Sequence, residues 1–472
     1  MSPVGTPESP LRVAIVGSGP AGFYAAEHLL KRDDFAVEVD MFDRLPTPFG
    51  LVRAGVAPDH PKIKSVIRVY EKTAAREGFR FFGNVEIGRD VTPEELADRY
   101  NAVIYAYGTA TDRQLGIPGE DLPGSHAATE FVAWYNAHPD FADREFDLSA
   151  ERVVVIGNGN VAADVARMLA LPRAELETTD TADHAIEALA NSSVREIVVL
   201  GRRGPAQAAF TNPEVRELGE MTEADIDIDP ADVELDDASR EYVESEDCDP
   251  TNRRNVEIFT DFSQRDPEGK PRRIRLRFCC SPVEIKGEGK VESIVIGRNE
   301  LYRDESGAIR ARDTGEREEL ECGLVLRSIG YAGVGLEGMP EEWFDERRAT
   351  LSNESGRVLH AESGEQVEGQ YVVGWIKRGP SGVIGTNKKD AQETVDAIFE
   401  DLEAGRVPER EPADRSIEEL LSERQPDAVT FAGWQAIDEA EKSAGEPQGR
   451  PRVKFCSVAE MVEASRATAV SG

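Results

Sequence analysis

The chain has 472 residues, with 55 Lys and Arg against 90 Asp and Glu, a formal net charge of −35. That length predicts two large domains or about three ordinary ones, and 40% hydrophobic content is too high for a disordered chain. The charge disfavours nucleic acid and anionic lipid, because both carry dense negative charge and their binders concentrate Lys and Arg. Five Cys without a CxxC spacing argue against a disulfide framework or a four-thiolate metal site and fit a reducing compartment. The start, MSPVGTPESP, lacks the basic and apolar regions of a signal peptide, and no apolar run reaches about 18 residues. The expectation is a cytoplasmic protein. Arg outnumbers Lys 43 to 12 and the carboxylates are spread along the chain, a surface that stays hydrated in concentrated salt.

The first strong element is an apolar strand, Leu11–Val16, followed by Gly17-x-Gly19-x-x-Gly22 and a helical pattern over 23–31. Gly17 permits a tight turn, Gly19 lets a pyrophosphate approach the backbone, and Gly22 lets helix and strand pack closely. The helix start, from Pro20 and Ala21, offers free N–H groups and a partial positive charge. A second strand over 36–42 leads to Asp43, 26 residues after Gly17, where a carboxylate accepts hydrogen bonds from ribose hydroxyls. This is a dinucleotide-binding unit.

The pattern recurs. Strand Arg152–Ile156 leads into Gly157-Asn158-Gly159-Asn160-Val161-Ala162 and a helix over 163–169, and strand Glu196–Leu200 ends in Gly201-Arg202-Arg203. Two arginines stand where the first unit carries Asp43. A carboxylate repels a 2′-phosphate and guanidinium groups bind one, so the second unit is expected to take NADP(H). Between the second unit's helix and its second strand, the acidic stretch 172–193 reads as an insertion or helix extension; it and 220–251 lack the calcium-loop spacing and read as solvated surface loops, and no metal site is expected. Segments 256–259, 274–278 and 291–296 read as strands of hairpins, and 324–329 as a strand returning to the parallel sheet.

Several motifs together resemble the adrenodoxin-reductase type of ferredoxin–NADP reductase: PTPFGLVRAGVAPDHPK at 46–62, GNGNVA at 157–162, GRRGP at 201–205, AFT at 209–211 and GWIKRGPSGVIGTNK at 374–388. The resemblance covers the chain from 12 to about 462. It implies an α/β fold of two Rossmann-like dinucleotide-binding domains, the NADP domain (111–370) inserted into a discontinuous FAD domain (1–110 and 371–472). It implies a flavoprotein that passes a hydride from NADPH to FAD and then single electrons to ferredoxin or another iron–sulfur carrier, working as a monomer. FAD is implied to lie on Gly17, Gly19, Pro20, Ala21, Gly22, Asp43, Leu51 and Val85, with Trp375 and the backbone of Gly382, Val383 and Ile384 near the flavin. NADP(H) is implied to lie on Asn158, Gly159, Asn160, Val161, Arg202 and Arg203, with Glu214 and Gly382 near the nicotinamide. His60 and Glu214 are the candidates for moving a proton. Two departures stand out: Asn212-Pro213 before Glu214, and Ser381 where Thr is common.

Other readings compete with this one. A disulfide oxidoreductase needs two poised cysteines, which Cys248, Cys279, Cys280, Cys322 and Cys456 do not offer by spacing; adjacent Cys279 and Cys280 are expected on a strand, facing opposite ways. A glutamate-synthase small subunit brings an N-terminal Cys-rich domain, absent from this sequence, while a reductase of another acceptor stays open. A non-enzymatic redox sensor would recruit a partner through the acidic, amphipathic segment 406–449. A basic docking patch for an acidic carrier would have to come from Arg253-Arg254, Arg272-Arg273 with Arg275, Lys377-Arg378 or Lys388-Lys389.

Overall fold

A computed structural model describes residues 3–109, 111–410 and 413–467. The chain forms two compact units, Met1–Arg113 with Gly330–Gly472, and Gln114–Ile329. The second unit is shorter than the 111–370 expected from the sequence. Residues 353–359 form an antiparallel hairpin on strand Gln366–Val372, so this stretch belongs to the sheet of the first unit.

In the first unit a seven-stranded sheet runs, in spatial order, Asn353–Glu354, Arg357–Leu359, Gln366–Val372, Ala102–Tyr105, Leu11–Val16, Val37–Phe42 and Phe79–Phe82. From Gln366–Val372 onward every pairing is parallel. The near-continuous apolar sequence of Leu11–Val16 follows from that arrangement, because a parallel strand is covered on both faces. Leu11, Val13 and Ile15 enter one buried cluster while Ala14 and Val16 enter another, as period-2 alternation requires. The chain leaves Val16 with Val37–Phe42 on one side and Ala102–Tyr105 on the other. Strand order reverses there, which opens a crevice at the carboxyl end of the strand.

The second unit carries a six-stranded sheet ordered Ser125–Ala127, Leu324–Arg327, Arg152–Ile156, Glu196–Leu200, Arg272–Arg277 and Ala224–Ile228, parallel throughout. A three-stranded antiparallel sheet, Cys280–Lys286, Ser293–Arg303 and Ile309–Glu321, follows directly on it.

Residues 256–259 are not a strand but lie within helix Pro250–Ser263, which Asp249 caps by accepting the Thr251 N–H at 2.7 Å, and which buries Ile258, Phe259 and Phe262. A four-residue apolar run does not distinguish strand from buried helix face, and the Asp-Pro start decides it. The stretch 220–251 is not a loop: Ala224, Ile226 and Ile228 alternate inward and form the edge strand of the parallel sheet. The stretch 172–193, expected as an insertion or helix extension, does contain helices Arg173–Leu176 and Asp183–Ala190, but the buried Thr179–Thr181 turn between them is not solvated surface. The C-terminal helices Ile417–Arg424, Phe431–Gly445 and Val458–Ser465 spend their apolar faces on the first unit, burying Leu420, Leu421, Trp434, Ile437 and Met461. The amphipathic face that a recruited partner would need is therefore used internally. Among the described residues no helix is long and apolar enough to cross a membrane.

Candidate dinucleotide sites

The first glycine turn divides its work between the protein and open space. Gly17 has φ +107, and a Cβ there would lie 2.6 Å from the Ala106 carbonyl oxygen; one on Gly22 would lie 2.2 Å from that of Gly17. Those two glycines answer to the backbone of the fold itself. At Gly19 a Cβ would meet nothing within 4 Å, and helix Pro20–Leu30 begins beside it with no side-chain cap. An uncapped helix start facing open room, with Ala21 and Gly22 buried behind it, fits a pyrophosphate.

Asp43 is anchored to this turn. Its Oδ2 accepts the Ser18 N–H at 3.0 Å and the Ser18 hydroxyl at 2.5 Å, and its Oδ1 accepts the Leu45 N–H at 2.9 Å. Burial raises its pKa and the bonds from Ser18 and Leu45 oppose that rise. The Val85 N–H donates to the Asp43 carbonyl at 2.9 Å, which fixes the buried Val85 beside it. Ser18 was missed in the sequence because the glycine pattern leaves that position open. The loop after Asp43 docks on the same turn: the Phe49 N–H donates to the Ser18 carbonyl at 3.0 Å, and a Cβ on Gly50 would come within 3.0 Å of the Gly19 Cα. Leu51 follows, 40% exposed, and His60 is buried at the start of Pro61–Lys64 with its N–H on the Ala57 carbonyl at 3.0 Å.

The late motif reaches the turn from the far end of the chain. A Cβ on Gly374, φ +77, would lie 2.6 Å from the Ala21 Cβ, so the 374–378 turn sits against the first helix. Trp375, half-buried, packs on Tyr331 with ring centroids 5.1 Å apart. Gly382 has φ +81, and the Thr386 hydroxyl, which accepts the Val383 N–H at 3.1 Å, would clash with any Cβ there. Val383 is 58% exposed while Ile384 packs toward the core.

The second unit repeats the first turn with different chemistry. Gly157 has φ +136 with the Ser328 carbonyl oxygen 2.1 Å from a would-be Cβ, whereas Gly159 has only the Ala209 Cβ, at 3.8 Å. Helix Asn160–Ala170 starts uncapped by any side chain, and Ala162 is fully buried at the third glycine position. Asn160 Oδ1 accepts the Thr211 N–H at 2.8 Å, and the Asn158 carbonyl accepts the Ala209 N–H at 2.8 Å, so the 209–211 motif closes over the turn. Val161 is half-buried on the first turn of the helix. Beyond strand Glu196–Leu200, Arg202 is exposed and Arg203 half-buried. Among the described residues neither guanidinium makes a hydrogen bond or ion pair. Burial, then the charges of Arg202 and Arg310, lower the pKa of Arg203. Unpaired, mutually repelling cations at this end of the strand fit a bound phosphate.

Glu214 lies 7% exposed on helix Asn212–Leu218, with Pro213 at the helix start where proline is tolerated. Its Oε2 accepts from Arg167 Nη1 at 2.8 Å; Arg167, 2% exposed, also meets Asp164 at 2.9 Å. Arg167 was missed. Its signal is an arginine in phase with Ala163, Ala166 and Ala170 on the inward face of the glycine-turn helix, a place for a paired cation only.

Of the four basic clusters, three are largely consumed by the fold. Lys377 is buried against Asp390 at 3.3 Å and Glu393 at 2.7 Å, and Arg378 meets Asp390 at 3.2 Å. Arg272 caps the Ala170 and Leu171 carbonyls, Arg273 and Arg275 face Asp227 at 3.6 Å, Arg253 binds the Val243 and Ser245 carbonyls, and Arg254 pairs with Glu257. Lys388 and Lys389 keep exposed ammonium groups without an anionic partner among the described residues. All five cysteines are free thiols. Cys279 is not on a strand as expected but in a left-handed turn, φ +53, just before Cys280–Lys286.

Residues 11–199 match the family model described as pyridine nucleotide-disulphide oxidoreductase. Over 456 residues the chain is 54% identical to an NADPH-ferredoxin reductase of Mycobacterium leprae, covering 95% of this chain and 97% of that one. It is 41% identical to a mitochondrial NADPH:adrenodoxin oxidoreductase of Arabidopsis thaliana, over 97% of this chain and 95% of the other. A solved structure of Mycobacterium tuberculosis FprA in complex with NADPH superposes with a TM-score of 0.90 at 50% identity, covering 97% of this chain and 99% of that one.

Proposed function

The chain belongs to the family of NADPH–ferredoxin reductases of the adrenodoxin-reductase type, and on that premise we propose that it oxidises NADPH and delivers the electrons, through FAD, to a small iron–sulfur protein such as a ferredoxin. FAD, when bound, accepts a hydride and returns its two electrons singly. The observation that carries the reading is the contrast between two otherwise alike turns: Asp43 follows the first, and the unpartnered Arg202 and Arg203 follow the second.

In this reading the first unit, Met1–Arg113 with Gly330–Gly472, holds FAD, and Gln114–Ile329 holds NADP(H). Gly19 and the start of helix Pro20–Leu30 receive the flavin nucleotide's pyrophosphate, while Asp43, already holding the turn through Ser18, keeps its remaining lone pairs for ribose. Leu51, Val85, Trp375 and the 382–384 backbone form the apolar and peptide surroundings of the ring. Gly382 leaves that backbone bare, which suits the close, flat approach that hydride transfer demands. Asn158 to Val161 receive the second pyrophosphate and the two arginines the 2′-phosphate. Glu214, held by Arg167, offers a fixed carboxylate oxygen to an N–H of the nicotinamide carboxamide, and His60 is the group suited to hold a proton. Lys388 and Lys389 supply part of the carrier's docking surface. Free thiols suit a reducing cytoplasm, and a monomer is the state to be checked by size-exclusion chromatography.

Purified protein should be yellow, bleach on anaerobic addition of NADPH, and reduce cytochrome c only when a ferredoxin is supplied. Replacing both Arg202 and Arg203 by Ala should weaken NADPH on the order of 10–100-fold, the worth of charge-assisted bonds of about 1.5–3 kcal/mol, and leave NADH within about twofold. Equal losses for the two nucleotides would remove the assignment.

A further inference from the structure

The arginine loop is held from a distance. All three carbonyls of residues 201–203 are engaged by the region where the parallel sheet passes into the antiparallel one. Gly201 O accepts the Cys280 N–H at 2.9 Å, Arg203 O accepts the Cys279 N–H at 3.0 Å, and Arg202 O accepts Asn299 Nδ2 at 2.9 Å. Asn299 Nδ2 also donates to the Ser281 hydroxyl at 2.7 Å, and the Asn299 N–H donates to the Cys279 carbonyl at 2.7 Å. Its side chain is 7% exposed. Because a carbonyl only accepts, the contact to Arg202 fixes which end of the amide points inward.

The strand geometry shows how Asn299 gets there. Pairing with Ile309–Glu321 jumps from Gly297↔Arg317 to Asn299↔Asp313, so the partner strand carries extra residues opposite Arg298. Two residues on, the Leu301 side chain would lie 3.1 Å from a Cβ on Gly204, closing the loop from the other end. Cys279 accepts a left-handed φ of +53, costly for a side-chain-bearing residue, and thereby aims its N–H at Arg203.

We propose that Asn299 is a positioning residue for nucleotide choice: it fixes the backbone of Arg202 so that two adjacent guanidinium groups stay presented, unpaired, to the 2′-phosphate. The proposal rests on the reading of Arg202 and Arg203 given above. Its physical basis is preorganisation. In a chain with 90 carboxylates, a mobile loop would let two repelling arginines separate and each find an acidic neighbour, and that pairing would have to be broken on binding. Pinning the carbonyls removes this competition before the nucleotide arrives.

The test uses the flavin-loaded enzyme and calorimetric binding of adenosine 2′,5′-bisphosphate, with 5′-AMP as the probe lacking the 2′-phosphate; neither depends on turnover. Asn299→Leu removes both donors at similar volume, and Asn299→Asp keeps the shape while replacing the donor with an acceptor. In each variant that retains the parent's circular dichroism and flavin content, bisphosphate binding should weaken about tenfold or more, with 5′-AMP within about twofold. KM for NADPH should rise with kcat nearly unchanged. Parent-like bisphosphate binding in either variant, or an equal loss of 5′-AMP, overturns the proposal. The Arg202→Ala, Arg203→Ala double variant separates the two levels: if it loses the bisphosphate while the Asn299 variants do not, only the role of Asn299 falls; if it too binds normally, the phosphate-site reading falls with it.

Discussion

Glu441 has no exposed surface, yet its surroundings keep it charged. Its carboxylate accepts Arg53 Nη2 at 2.5 Å and Nη1 at 2.9 Å, Arg452 Nη1 at 3.1 Å and the Phe455 N–H at 3.0 Å. Burial acts to raise its pKa, but the charge of Arg53 and the bonds outweigh it and the net shift is downward. Asp401, bound by Arg357, Arg406, Gln366 and Tyr371, shows the same balance. A carboxylate depressed in the folded state contributes stability above its unfolded pKa of about 4, and that contribution is lost as pH falls toward the folded value. Glu441→Gln leaves the buried Arg53 guanidinium facing a neutral amide, while Arg452 keeps Asp438 at 2.7 Å, so it should cost about 3 kcal/mol at pH 7. It should also flatten the acid limb of the stability curve below about pH 4, as followed by urea unfolding at several pH values. A variant as stable as the parent at pH 7 would show that the cluster is solvated.

At the level of the turn, the three fingerprint glycines make different predictions. Gly22→Ala places a Cβ 2.2 Å from the Gly17 carbonyl oxygen, so strand and helix must separate, and the melting temperature should fall whether or not flavin is present. Gly19→Ala meets no protein atom within 4 Å, so the fold should survive while the pyrophosphate loses its room. Flavin absorbance after purification together with the melting temperature separates the two cases. A yellow Gly19→Ala protein would contradict the pyrophosphate site. The same logic was legible from sequence, because the glycine spacing, the strand before it and the helix after it are all local. Elements whose partners are distant were harder to read. Helix Pro250–Ser263 looked like a strand at 256–259 because its buried face shows only as Ile258, Phe259 and Phe262, and edge strand Ala224–Ile228 was hidden by the Asp residues on its solvent side.

For the whole molecule, a charge of −35 implies self-repulsion that many surface ion pairs only partly offset, since exposed pairs are individually weak. Raising salt from about 0.05 M to 1 M shortens the screening length to about 3 Å. The melting temperature of the loaded protein should therefore rise by several degrees over that range, and a flat or falling curve would mean that the pairs dominate. The same charge bears on the electron carrier. With Lys377, Arg272, Arg273 and Arg275 engaged by the fold, an acidic carrier would have to draw on cations outside those clusters, such as the exposed Lys388 and Lys389.

The two glycine turns, the acid after one and the arginines after the other, and hence a pair of nucleotides of different charge, can be read along the unfolded chain. Those features lie within some 45 residues of each other in each unit and need only local geometry to read. What holds them is set by folding: Ser18 on Asp43, Arg167 on Glu214, Asn299 on Arg202, and the return of the chain to the first unit at Gly330. Each of those is a directional contact whose partner is chosen by how the chain is folded, and a hydrogen-bond donor such as Asn299 looks the same in sequence whether it faces water or a carbonyl about 100 residues away.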